Sequence, residues 1–179
     1  MFVVNNNLSD GSMVFFNNKF SNVKFIWNGE NLGFSKANNI AVKQATGRYI
    51  LFLNPDTLVP EDCIDKCLTF MASHDEAGAL GIKMLDGSGS FLKESKRSFP
   101  LTLTSFYKLS GMARLFPRSK KFSRYHLGNL EENVNNEVEV LAGAFMMVPK
   151  KIIDTVGSFD EDFFMYGEDI DLSYRIREA

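Results

Sequence analysis

Cysteine is nearly absent: Cys63 and Cys67 are the only two in 179 residues. A pair one helical turn apart builds no disulfide framework, which points to a reducing compartment, the cytoplasm. A two-thiol metal site would need partner ligands that the neighbourhood lacks, so burial within a helix is the reading for both. Long hydrophobic runs are missing too. No stretch approaches the roughly 18 apolar residues of a membrane-spanning helix. The opening "MFVVNNNLSDGS" has neither the basic flank nor the apolar length of a signal peptide. An excess of one charge is also lacking. The net charge of −2 gives the whole molecule no polyanion-binding signature.

What is present is a chain with 45% hydrophobic residues, enough for one domain with a sizeable core. Its charge is unevenly placed. Between Lys93 and Arg124 stand nine Lys or Arg (93, 96, 97, 108, 114, 118, 120, 121, 124) against one Glu, a local +8, so the remainder sums to −10. This marks a basic surface segment on an acidic body.

Periodicity supplies the architecture. "FVV" (2–4) and "VKFIW" (23–27) read as strands, the first running into the turn-forming "NNNLSDGS". Ser35 is the expected N-cap of a helix carrying Ala37, Ile40, Ala41 and Ala45, which Gly47 stops. A strand over Tyr49–Leu53 follows. Pro60 is expected to open a helix with Ile64, Cys67, Leu68 and Met71 on one face. "AGALGIKML" (77–85) reads as another strand before the turn "DGSGS". "VEVLAGAFMMV" (138–148) is a strand pair or one strand broken at Gly143, followed by a helix from Pro149 to Val156. The acidic "SFDEDFFMYGEDIDLSYRI" closes the chain. Phe15, Phe16 and Phe20 fall at helical spacing and are expected to pack on the sheet. Alternation of strand and helix indicates an α/β fold with a mostly parallel sheet flanked by helices, in a single domain over 1–179. The short first strand and the helical ending lead us to expect a domain truncated at both ends, lacking the first βα unit.

In open α/β sheets, ligands bind beyond the carboxyl ends of the strands. Two strands end there in oxygen-rich loops, "VVNNNLSDG" and "FLNPDT". Pro55 restricts its neighbours, so Asp56 is a rigidly aimed hard oxygen, suited to Mg2+ or Mn2+ bridging phosphates. It is equally suited to an Asx-type turn capping the helix near Pro60. Gly143, in an otherwise apolar run, allows either close approach of backbone to ligand or a plain bulge. "GEDID" (167–171) is a helix start whose carboxylates suit the positive end of the helix dipole, or carry chemistry. "FDED" (159–162) reads as an exposed acidic turn, His74 takes no role, and His126 is either an exposed loop histidine or one that reaches the donor or acceptor.

Four stretches, "VVNNNLSDGS" (3–12), "ENLGFSKANNIAVKQATGRYILFLNPDT" (30–57), "LAGAFMMV" (141–148) and "GSFDEDFFMYGEDIDLSYRI" (157–176), occur in the order found in glycosyltransferase family 2. The chain resembles that family, and within it the rhamnosyltransferase-like bacterial members. The resemblance implies a GT-A fold and an inverting, metal-dependent glycosyltransferase. Its donor would be a nucleoside-diphosphate sugar, dTDP-rhamnose or a UDP-sugar, and its acceptor a glycan or lipid-linked acceptor in surface-polysaccharide synthesis. Asp56 matches the last residue of the family's DxD-type motif and would hold Mg2+ or Mn2+. Asn54 stands where many relatives have the first Asp. Asn5 and Asn6 match residues that hold the nucleoside base, with Asn5 where an Asp is more usual; an amide still offers a donor and an acceptor. Asp169 resembles the general base, with Glu168 beside it.

The segment 95–125 mixes aromatics with cations. No RNA or DNA motif accompanies it, so nucleic acid is not an expected partner. Two readings stay open: peripheral contact with the inner membrane face or a lipid-linked acceptor, or a loop packed on the body. A nucleotide-sugar-binding module without turnover is the alternative function. A nucleotidyltransferase would be expected to show a Gly-rich, basic triphosphate loop, which the sequence does not show.

Overall fold

The computed structural model describes residues 1–6, 16, 19–99, 127 and 130–179. Among them run β1 (Phe2–Asn5), β2 (Lys24–Trp27), α1 (Gly33–Val42), β3 (Tyr49–Leu53) and α2 (Cys63–Ser73). A 3-10 turn at Lys93–Ser95, then β4 (Phe145–Pro149), α3 (Lys150–Val156) and α4 (Glu168–Glu178) complete the order. The α/β class holds. The pairing is mixed, because β1 and β2 are parallel with Phe2 opposite Lys24, whereas β3 and β4 are antiparallel with Leu53 opposite Phe145.

The β3–β4 pair is the centre of the core, and it is covered on both faces. Ile50, Phe52, Met146 and Val148 pack with Ile153, Phe159 and Leu172 on one side. Tyr49, Leu51, Phe145 and Met147 meet Cys67 and Met71 on the other. Double coverage explains why both strands read as unbroken apolar runs rather than alternating ones. Each fully buried side chain of this size contributes about 1.5–3 kcal/mol. Burial pushes the Cys67 thiol up to about 11, with Cys63 adding to it, which keeps it an inert core group.

Three expectations change. Ser35 is not the N-cap: α1 begins two residues earlier, where the Asn31 side-chain oxygen accepts the Gly33 N–H at 3.0 Å. Gly33 takes φ +80°, open to glycine at no steric cost, so the chain turns into the helix there and Ser35 is buried. The second helix starts at Cys63, not Pro60, whose carbonyl accepts the Cys63 N–H; Cys67 and Met71 point inward while Ile64 and Leu68 lie on the exposed flank. Residues 77–85 form no extended strand. Leu80 alone bridges β4, exchanging two 2.8 Å bonds with Met147, and Leu85 bridges Phe91. The reason lies in Gly78 and Gly81, where a Cβ would stand 2.6 Å from Ile176 and 2.9 Å from Leu141. The glycines let the chain pass under those side chains instead of pairing.

"DGSGS" is the turn expected, closed by Asp86 Oδ1, which accepts the N–H groups of Ser88 and Ser90. Phe16 and Phe20 stay exposed, although the Phe16 ring stacks on Phe25 of β2. Phe15 and His126 lie outside the described residues. No helix among the described residues is long and apolar enough to cross a membrane.

Candidate active site

Because β4 runs antiparallel to β3, the chain leaving β3 and the chain entering β4 share one edge. The Asn54 N–H donates to the Ala144 carbonyl at 3.0 Å, joining the two loops. Asn54–Thr57 is a tight turn, closed by the Thr57 N–H on the Asn54 carbonyl at 3.2 Å. Asp56 sits at its tip, exposed, and its carboxylate makes no hydrogen bond or ion pair with a described residue. It caps no helix, since α2 starts seven residues later without a side-chain cap. Among the described residues no group of three or more His, Cys, Asp or Glu could hold a metal ion. A single free carboxylate fits a cation whose other ligands are phosphate oxygens and water.

The second polar edge follows β1. The Asn6 side chain donates to the Gly33 carbonyl at 3.0 Å and accepts from the Asn28 amide at 2.8 Å. Its amide therefore locks β1, β2 and the start of α1 together. The same helix start meets the acidic end of the chain: the Phe34 N–H donates to the Phe164 carbonyl at 2.8 Å. Deeper in α1, Asn39 donates to the Phe159 carbonyl at 2.8 Å and to Glu161, so "FDED" is an exposed turn with a buried Phe159.

Asp169 lies in the first turn of α4, behind Tyr166 and Gly167, both at positive φ (71° and 100°). Its Oδ2 accepts from the Gly143 N–H at 3.1 Å and from Arg97 Nη2 at 2.5 Å. Gly143 is thus neither a bare bulge nor a steric necessity; a Cβ there would meet Asp169 at an ordinary 3.5 Å. Glu168 is buried with Oε2 unpartnered. Burial pushes its carboxyl above the usual range and Asp169 adds to this, while backbone amides and Arg97 pull it down.

Asn54 is bonded to Ala144, next to the Gly143 that holds Asp169, while Asn6 is bonded to the start of α1, which is itself bonded to Phe164 before α4. Sequence reading missed Arg97 because it stands within the basic segment and was counted as a surface cation. Of the segment 95–125, only 95–99 lie among the described residues, and these pack on the body. Lys96 is buried and donates to the Leu130 carbonyl, and the Phe99 N–H donates to Glu139.

Residues 1–157 match the family described as glycosyl transferase family 2. The chain is 27% identical over 188 aligned residues to N-acetylglucosaminyl-diphospho-decaprenol L-rhamnosyltransferase of Mycobacterium tuberculosis, covering 99% of this chain and 60% of that protein. Similarity to rhamnosyltransferase WbbL of Escherichia coli is 31% over 157 residues, or 82% of this chain and 55% of that one. The chain therefore spans a little over half the length of these relatives. Among solved structures, S. aureus TarS superposes with a TM-score of 0.62 at 19% identity, over 98% of this chain and 27% of TarS. Residues 1–349 of TarS in complex with UDP-GlcNAc give 0.59 at 20% identity, over 98% of this chain and 43% of that one. These likenesses give the fold, GT-A, and with the family match they settle one point: the chain belongs to glycosyl transferase family 2.

Proposed function

We propose that the protein transfers a sugar, with inversion, from a nucleoside-diphosphate sugar to a glycan or lipid-linked acceptor in surface-polysaccharide synthesis. The observation that carries this reading is Asp169, fixed by two donors at the start of α4, one of them Gly143, the neighbour of the Ala144 that bonds Asn54 after β3. The names of the relatives favour a rhamnosyl donor such as dTDP-rhamnose, and the UDP-GlcNAc complex of TarS favours a UDP-sugar.

Asp56 would hold Mg2+ or Mn2+ on the donor diphosphate. Bound there, the ion would neutralise charge developing on the leaving group. Asn5 and Asn54 line the two loop edges for the nucleotide, and Asn6 acts by holding the loop that carries Asn5. Asp169 takes the proton from the acceptor hydroxyl as that oxygen attacks the anomeric carbon. Such a base contributes about 10²–10⁴-fold. Glu168, buried behind it with its carboxyl raised, is the neighbouring acid group.

Asp169→Asn is the direct test, since it removes the proton acceptor without opening a cavity. Turnover should fall by about 10²-fold or more while UDP or dTDP affinity stays the same. Transfer at the wild-type rate would remove Asp169 from the role. Donor binding without any product in the wild type would leave a nucleotide-sugar-binding module. Of the segment 95–125, residues 100–125 are the proposed contact with membrane or lipid-linked acceptor, since 95–99 pack on the body. Greater sedimentation with anionic than with neutral vesicles is the expected result, and equal, negligible binding to both would leave a packed loop.

A further inference from the structure

Arg97 is anchored in a way a surface cation would not be. Its backbone exchanges hydrogen bonds with Val140, donating at 3.3 Å and accepting at 3.0 Å. From that bridge Nη2 reaches Asp169 Oδ2 at 2.5 Å and the Leu141 carbonyl at 3.3 Å. The two charged side chains are only 15% and 14% exposed, and Arg97 Nε is buried with no partner. Both donors to Asp169 among the described residues, Arg97 and Gly143, engage the same oxygen, Oδ2. Oδ1 accepts nothing from the described residues.

We propose that Arg97 is a positioning residue for the general base: it clamps Asp169 through Oδ2 so that Oδ1 faces the acceptor hydroxyl. This inference rests on the reading of Asp169 given above. A carboxylate held at one oxygen by two donors from different directions has its plane set, and its second oxygen is left as the basic site. An ion pair at an exposed surface would hold little, but here both partners are largely withdrawn from water and the bond is charge-assisted. A single nitrogen, Nη2, meets a carbonyl and the carboxylate at once, and the rigid guanidinium plane fixes both directions more firmly than an ammonium on a flexible stem. The charged groups facing Asp169 among the described residues are Arg97 and, from its own helix, Glu168; Gly143 contributes a neutral amide.

The experiment compares Arg97→Ala, Arg97→Lys and Asp169→Asn for sugar transfer at saturating donor, and for UDP and dTDP affinity. Arg97→Ala is expected to lower kcat by about tenfold to a hundredfold, the scale at which orienting partners act. Nucleotide affinity should be unchanged, which also certifies that the variant is folded. Arg97→Lys should recover part of the loss in kcat, again with nucleotide affinity unchanged. If Arg97→Ala does not fold, the Lys variant carries the test through its kcat. Wild-type kcat in the variant that folds overturns the inference, and so does a rise in turnover, which would make the pair an inhibitory lock. The two readings fail separately. Asp169→Asn inactive with the Arg97 variants normal sinks only the role of Arg97. Asp169→Asn with normal transfer sinks the base.

Discussion

Glu168 shows how one residue can be unfavourable to the fold and retained in it. It stands at the positive end of α4, where a carboxylate is welcome, yet it is buried with an unpartnered oxygen. Burial raises its folded value above that of the unfolded chain, so folding favours the protonated form. Its contribution is fully present below the unfolded carboxylate range and is lost as pH rises through the folded value. Glu168→Gln, which stays neutral, should therefore melt higher than wild type at neutral pH, with the gap closing toward pH about 4. Equal melting temperatures across that range would mean that Glu168 is solvated. "GED" was legible as a helix start because Gly and clustered carboxylates are local signals. The partners of Asp169 were not, since Arg97 lies 72 residues away, within a run of cations that reads from sequence as a surface segment.

At the scale of the element, α1 and α4 carry the site, and each is placed by a small number of contacts. Gly33 opens α1 at φ +80°, and a Cβ there would stand 2.5 Å from the Phe164 carbonyl. Gly33→Ala would strain the backbone and push away the loop that leads to Asp169. It should cost about 1–3 kcal/mol and lower turnover more than a surface glycine would. Gly87→Ala, with nothing within 4 Å, is the control; if the two variants unfold alike, the loop is not held by this contact. Helix α4 is fixed from inside by Leu172, fully buried, and from outside by Arg175, which bonds Asp171 and the Val156 and Ser158 carbonyls. Leu172→Ala should destabilise by about 2–5 kcal/mol, measured by denaturant unfolding. Helical spacing made α1, α2 and α4 readable in advance, and the start of α4 was read where it lies; α1 starts earlier than expected because the Asn31 side chain and the turn at Gly33 replace the Ser35 cap, and α2 starts three residues after Pro60. The stretch 77–85 misled because its apolar content resembles a strand while Gly78 and Gly81 serve close packing.

The whole molecule joins residues from both ends of the chain at one edge, and the sequence could give the edge but not the direction of the strands. Periodicity carries no polarity, so β4 returning antiparallel to β3 was invisible; yet that reversal brings Gly143 and Ala144 beside Asn54. Asp56 is the residue of this edge that the fold itself does not use. It is exposed and unpaired among the described residues, so Asp56→Ala should change stability by no more than about 0.5 kcal/mol. Its effect on nucleotide binding should be large, because a cation shared between one carboxylate and a diphosphate loses its protein anchor when that carboxylate is removed. Thermal shift separates the two effects. A ligand present at 100 times its Kd stabilises the folded state by about 2.7 kcal/mol. Wild type should therefore gain melting temperature with UDP or dTDP plus Mn2+, little with nucleotide alone and little with Mn2+ alone. Asp56→Ala should start from the same melting temperature and lose the gain that requires both. A gain of the same size in the variant, or no dependence on the metal in the wild type, would return Asp56 to an ordinary turn residue and leave the diphosphate to be held by other groups.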